Sequence, residues 1–105
     1  MEEIVQQEED LTSIAQDLAF VLKCYKLMRK LNYTHSQYEF SEEFLNKNRC
    51  YLGVLLSESR SPSIDALHNL VTNLGNLQSQ NATTYIAQLH EQGQRILTNR
   101  LLKFL

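Results

Sequence analysis

The chain has 105 residues, of which 43% are hydrophobic, so it is long enough for one small domain with a buried core. It contains no run of about 18 apolar residues, which excludes a membrane-spanning helix. Ten basic and twelve acidic residues give a net charge of −2, which is unusual for a DNA-binding protein. The distribution of these charges along the chain changes this comparison.

The charge is distributed unevenly. Residues 1–17 contain six acids and no base, whereas the remaining 88 residues contain ten Lys and Arg against six Asp and Glu, a balance of +4. This asymmetry fits an acidic tail beside a basic body, and it fits equally the preference of acids for helix N-termini. The charge therefore neither supports nor excludes nucleic-acid binding.

The first predicted helix covers residues 10–31, where apolar residues recur at alternating spacings of three and four. A second apolar line widens this face to nearly half of the helix surface, which suits a helix that packs against more than one neighbour. The first line consists of Leu11, Ile14, Leu18, Val21, Tyr25 and Met28, and the second of Phe20, Cys24, Leu27 and Leu31.

Two short helices are predicted next. Ser36 and Glu39 have the spacing of a capping box, which starts the second helix. Asn46 ends that helix, because asparagine tolerates the left-handed conformation found at many helix C-termini. Asn48 is a suitable N-cap for a third helix over residues 48–56. The inner faces of these two helices carry Phe40, Phe44, Tyr51, Leu52 and Leu55.

Two further helices complete the chain. After a polar loop over residues 57–61, Ser61 is predicted to cap a fourth helix that has Pro62 as its first residue, where the missing N–H does no harm. Gly75 is placed to end that helix, and a fifth helix follows over residues 82–104. The prediction is an all-α single domain over residues 1–105, with two longer helices flanking three short ones.

The central part of the chain carries a characteristic order of residue types, namely Ser36 and Gln37, Phe40 and Ser41, Phe44, Asn46, Pro62, Ser63 and Ile64, then Leu67, Leu70 and Leu74. With this order, residues 36–77 resemble the lambda-repressor-like (XRE-type) helix-turn-helix DNA-binding domain, and residues 47–56 match its recognition helix. The sequence departs from the family at two points. The turn has Asn46 instead of Gly, and residues 37–62 form a stretch one residue longer than usual, which leaves the recognition-helix register open by one residue.

The resemblance implies sequence-specific binding of double-stranded DNA by a small, repressor-like transcriptional regulator. The first residues of the recognition helix would reach base edges in the major groove, where Asn can bond adenine and Arg can bond guanine. Gln37 would hold a backbone phosphate, and Lys47 and Arg60 would neutralise others. The candidate DNA-binding residues are Gln37, Lys47, Asn48, Arg49, Cys50, Tyr51 and Arg60.

Three acids of the second helix, Glu39, Glu42 and Glu43, would repel a duplex unless they point away from it. The competing interpretation is a protein-interaction module, such as an anti-activator, an adaptor or a phage-encoded inhibitor. Because three short helices cannot cover the apolar faces of the first and fifth helices, we also expect a homodimer. Its contact is predicted in residues 82–105, at Ile86, Leu89, Leu97, Leu101 and Phe104.

The sequence offers no pattern for catalysis or metal binding. His35, His68 and His90 lack the three- or four-residue spacing of a helical metal site, and no Gly-rich loop is present. We therefore expect a non-enzymatic protein with no cofactor and no metal. Cys24 and Cys50 are predicted to be reduced thiols within helices of a cytoplasmic protein, and the acidic N-terminus lacks the pattern of a secretory signal.

Overall fold

A computed structural model describes residues 2–80 and 83–103, with side chains from residue 15 onward. Within these ranges the chain forms five α-helices and no strand, which confirms the predicted all-α fold. The helices are α1 (Glu2–Lys30), α2 (Gln37–Glu43), α3 (Tyr51–Glu58), α4 (Ile64–Gln80) and α5 (Thr84–Leu102). None of these described helices combines the length and the apolar character needed to cross a membrane.

Helix α1 starts earlier than predicted, because the Glu- and Gln-rich first residues favour helix although they add little apolar pattern. Its C-terminal half enters the core, where Phe20, Val21, Cys24, Tyr25 and Met28 are buried. The predicted stripe residues Leu11 and Ile14 lie outside the side chains that the structure describes.

Asn32 ends helix α1 in the left-handed conformation, with φ of 65°. The amide of Tyr33 donates to the carbonyl of Met28 at 2.8 Å, and the amide of Asn32 donates to that of Arg29 at 3.1 Å. This pair of bonds is the Schellman arrangement, which satisfies carbonyl groups that the end of the helix leaves free. The chain then turns toward helix α2.

Helix α2 begins as predicted, because the Ser36 Oγ accepts the amide of Glu39 at 3.1 Å. In a full capping box the side chain of Glu39 would also accept the amide of Ser36. Here the Glu39 carboxylate instead lies 3.3 Å from Nδ1 of His35. Phe40 is buried, with its ring stacked on Phe44 at a centroid distance of 5.2 Å. These rings anchor α2 to the core.

Helix α4 holds the end of α2 in place through two asparagines one turn apart. The Asn69 side chain donates to the carbonyl of Leu45 at 3.0 Å, and that of Asn73 donates to the carbonyl of Phe44 at 3.1 Å. Asn46 adopts φ of 53°, which confirms its predicted left-handed turn. The side chains of α4 thereby satisfy carbonyl groups that would otherwise be unpaired where α2 ends.

Two predicted helix starts need correction. Helix α3 starts at Tyr51, because the Asn48 Oδ1 accepts the amide of Cys50 at 2.9 Å and so forms a turn before the helix. Helix α4 starts at Ile64, where the Oγ of Ser63 accepts the amide of Ala66 at 3.2 Å. Ser61 is therefore not the cap, and Pro62 precedes the helix instead of opening it.

Gly75 was predicted to end the fourth helix, but α4 continues through it to Gln80. A Cβ at this position would lie 3.0 Å from Nε2 of His90 in α5, so the missing side chain allows a close approach between the two helices. Gly93 has the same role, since a Cβ there would lie 2.9 Å from Cγ2 of Val71 and 3.0 Å from Cζ of Phe20. Helices α4 and α5 thus pack as a tight hairpin.

Candidate nucleic-acid interface

The residues predicted to open the recognition helix lie in the connector over residues 44–50 between α2 and α3. Asn48, Arg49 and Cys50 are exposed there, whereas Lys47 is partly buried. Of the predicted run only Tyr51 is helical, as the first residue of α3. The prediction that this run forms the first turn of the helix is wrong, although the run leads directly into it.

The first turn of α2 lies beside α3. The Oε1 of Gln37 lies 3.8 Å from the position that a Cβ on Gly53 would occupy. The Arg49 guanidinium lies over the ring of Tyr38, 5.4 Å from its centroid. Gln37, Tyr38, Arg49 and Gly53 therefore form one surface, here named the α2–α3 surface.

A buried serine fixes the two helices that carry this surface. The Oγ of Ser41 accepts the amide of Leu52 at 3.1 Å, and both residues are fully buried. The serine carbonyl accepts the amide of Lys47 at 3.0 Å, which ties the connector to the same point. Because the side chain of Ser41 is small and polar, α3 can approach α2 closely while its first-turn amide stays paired.

A groove with a volume of about 490 Å³ lies between the connector, α3 and the start of α4. It is named the α3–α4 groove here, and it brings together five of the seven predicted DNA-binding residues. The other two, Gln37 and Arg49, belong to the neighbouring α2–α3 surface. The groove is lined by Lys47, Asn48, Cys50, Tyr51, Val54, Leu55, Arg60, Ser61, Pro62, Ser63 and Arg100.

Two basic side chains of the groove form ion pairs with nearby acids. The Nζ of Lys47 lies 3.7 Å from Oδ2 of Asp65, and an Nη of Arg60 lies 3.0 Å from a carboxylate oxygen of Glu58. Both acids are well exposed, and such surface pairs contribute about 0–1 kcal/mol. A phosphate group could therefore replace either acid at little cost.

Tyr51 has a structural role that the sequence did not indicate. Its hydroxyl accepts the amide of Ser63 at 2.9 Å and donates to the Oγ of Ser63 at 3.3 Å. The phenol therefore links the start of α3 to the start of α4, and its hydrogen-bonding groups are used within the chain. Its ring forms part of the groove wall, with the Nζ of Lys47 at 5.9 Å from the ring centroid.

Arg100 lines the groove and pairs with Asp17, and neither residue was predicted. The Nε of Arg100 lies 3.9 Å from Oδ2 of Asp17, and its Nη donates to the carbonyl of Pro62. The Oγ of Ser61 donates to the same carboxylate at 3.3 Å. Burial raises the pKa of Asp17, outweighing Arg100, Ser61 and Lys103, which lower it. Residues this far apart in the sequence form no periodic pattern, so the sequence could not indicate these contacts of Asp17.

The three acids of α2 lie in different environments. The Glu39 carboxylate is turned toward His35, while Glu42 and Glu43 are exposed at the C-terminal end of the helix, away from Gln37. The carbonyl of Glu43 accepts the side chain of Asn73 at 3.2 Å. Glu43 therefore lies at the far end of α2 from Gln37, whereas Glu42 follows Tyr38 by four residues and lies one turn from it on the same side of the helix.

A family described as being of unknown function, DUF6626, matches residues 21–102. The chain belongs to DUF6626. The matched range starts where α1 enters the core and includes all of α2, α3, α4 and α5. No curated protein and no solved structure matches the chain.

The predicted dimer contact needs correction within this DUF6626 chain. Ile86 and Leu89 are buried in the core of the single chain, and Leu97 packs against that core, because α5 turns this side toward α4. Leu101 is 47% exposed and remains available, whereas Phe104 lies outside the described residues. An isolated amphipathic pattern cannot distinguish a core face from an interface, which explains the error.

The two cysteines of the DUF6626 chain are both free thiols but differ in environment. Cys24 is buried, and burial raises the pKa of its thiol, so that it is unreactive. Cys50 is exposed and lies in the connector, not within a helix as predicted. Among the residues that the structure describes, no group of three His, Cys, Asp or Glu side chains could hold a metal ion.

Proposed function

We propose that the chain binds double-stranded DNA sequence-specifically, as a small, repressor-like and non-enzymatic transcriptional regulator of the cytoplasm. One observation carries the proposal: the N-terminal ends of α2 and α3 lie side by side, with Gln37 beside Gly53 and Arg49 over Tyr38. This arrangement supports the helix-turn-helix interpretation, in which the start of one helix holds the backbone while the start of the next enters the major groove.

The roles follow from hydrogen-bonding chemistry. Asn48 and Arg49 are exposed directly before α3 and can form two-point bonds with adenine and guanine respectively. Gln37 is suited to a phosphate contact, which fixes position without reading sequence. Lys47 and Arg60 would exchange their surface acids for phosphate groups along the edge of the α3–α4 groove.

We further propose that the protein acts as a homodimer on two-fold symmetric sites, whose half-sites lie about 34 Å apart. The contact would use the C-terminal end of α5, where Leu101 and Leu102 are 47% and 57% exposed. The α2–α3 surface shares no residue with this contact.

Selection from a pool of random duplexes with the purified chain tests the proposal. We expect one motif to be enriched, with binding that weakens steeply as salt rises, because each neutralised phosphate releases counterions. An alanine scan of residues 47–50 should then relax preference at individual bases, whereas Gln37→Ala should weaken binding to all duplexes alike. A wild type that enriches no duplex at low salt would overturn the proposal in favour of a protein-interaction module.

A further inference from the structure

Gly53 is a glycine that the packing of the chain does not require. It lies inside α3 without a left-handed φ, and a Cβ there would meet only Oε1 of Gln37, at 3.8 Å. Glycine in a helix interior is less favourable than alanine, because it loses more backbone freedom on folding. Gly75 and Gly93 differ, since a Cβ at either position would press on the neighbouring helix. Within the single chain, no contact offsets the unfavourable helix propensity of Gly53.

A close approach by another molecule would explain this glycine. Val54 follows it on the outer surface of α3, where it is 40% exposed although it is apolar. Gln37 borders this position on one side. On the other side Val54 lines the α3–α4 groove together with Lys47 and Arg60. An amide side chain on one flank and two basic side chains on the other, each paired with an exposed acid, match a polyanion with hydrogen-bonding edges better than they match an apolar protein helix.

We infer that Gly53 allows the backbone of α3 to come into contact with base edges in the major groove, and that Val54 packs against the methyl group of a thymine. Among the four bases only thymine presents a methyl group in that groove. The inference rests on the proposed DNA binding and sharpens it: the recognised site contains a thymine beneath α3, read by an apolar contact.

Gly53→Ala tests the close approach with two readouts of opposite sign. We expect its melting temperature to rise by a few degrees, because alanine favours helix, and its affinity for the selected duplex to fall at least tenfold. Thr72→Ala is the matched control, since Thr72 is exposed on α4 and the change brings a similar gain in helix propensity. The control should be stabilised with unchanged binding. A Gly53→Ala variant that binds as tightly as wild type would overturn the inference.

Replacing thymine by uracil in the selected duplex tests the methyl contact without changing the protein. One buried methyl group corresponds to about 0.8 kcal/mol, so wild type should lose about fourfold in affinity at one thymine position. Val54→Ala should bind both duplexes equally well. If wild type binds the duplex but ignores every uracil substitution, the thymine contact is wrong while the proposed function stands. If wild type binds no duplex, both fail.

Discussion

The α4–α5 hairpin and the α2–α3 unit share one apolar core but differ in the contacts that fix their two helices to each other. In the hairpin, buried apolar side chains meet across two long helices, and glycines set how closely the helices approach. Helices α2 and α3 have only seven and eight residues, too few to be stable alone. Phe40 and Leu52 anchor them in the core, and polar side chains that bond to backbone groups set how the two helices meet, with Ser41 at their junction. The spacing of apolar residues in the sequence therefore predicts the hairpin well and the α2–α3 unit poorly.

The largest effect is expected in the hairpin. Leu70 of α4 is fully buried, so Leu70→Ala should lower the free energy of unfolding by about 2–5 kcal/mol through lost contacts and a cavity. Denaturant titration of the purified chain measures this change, with Thr72→Ala as the exposed control on the same helix. A loss below 1 kcal/mol would show that α4 is not central to stability.

A smaller effect is expected at the junction of α2 and α3. Ser41→Ala leaves the buried amide of Leu52 without its partner, which should cost about 1–3 kcal/mol of unfolding free energy. Faster hydrogen exchange at that amide would locate the loss. Ser57→Ala, an exposed change on α3, should stay within about 0.5 kcal/mol of wild type. If Ser41→Ala and Ser57→Ala had equal effects on the free energy of unfolding, the bond between Ser41 and Leu52 would not be what fixes α2 to α3.

The smallest effect concerns Asp17 and depends on pH. Because the folded pKa of Asp17 is raised above 3.8, the folded state binds its proton more readily than the unfolded state. The stability that Asp17 contributes is therefore fully present below pH 3.8 and is lost as the pH rises through the folded pKa. The difference in unfolding free energy between wild type and Asp17→Asn should fall across that window, then stay constant. A difference that grows with pH would contradict the assigned burial.

The sequence predicted the five helices because each long apolar stripe leaves few alternatives, and Val21, Tyr25 and Met28 are buried as expected. The cap at Ser36 and the turn at Asn46 were also predictable, since both depend on neighbouring residues. The start of α3 could not be predicted, because the side chain of Asn48 can cap a turn or a helix equally well.

The candidate site was predictable only in part. A local motif indicated which residues to consider, and the structure gathers five of the seven predicted residues around one groove. The roles of Asp17, Arg100 and Tyr51 depend on contacts between distant parts of the chain. Ile86 and Leu89 were assigned to a dimer contact because an apolar stripe does not reveal which neighbour covers it.

Affinity measurements on Arg49→Ala test the central claim most directly. On the duplex selected by wild type, this change should cost about 1–3 kcal/mol of binding free energy and relax preference at one base position. Arg95→Ala is the matched control, because Arg95 is also exposed but lies on α5. It should bind like wild type. If Arg49→Ala binds every single-base variant of the site as wild type does, the α2–α3 surface does not read DNA.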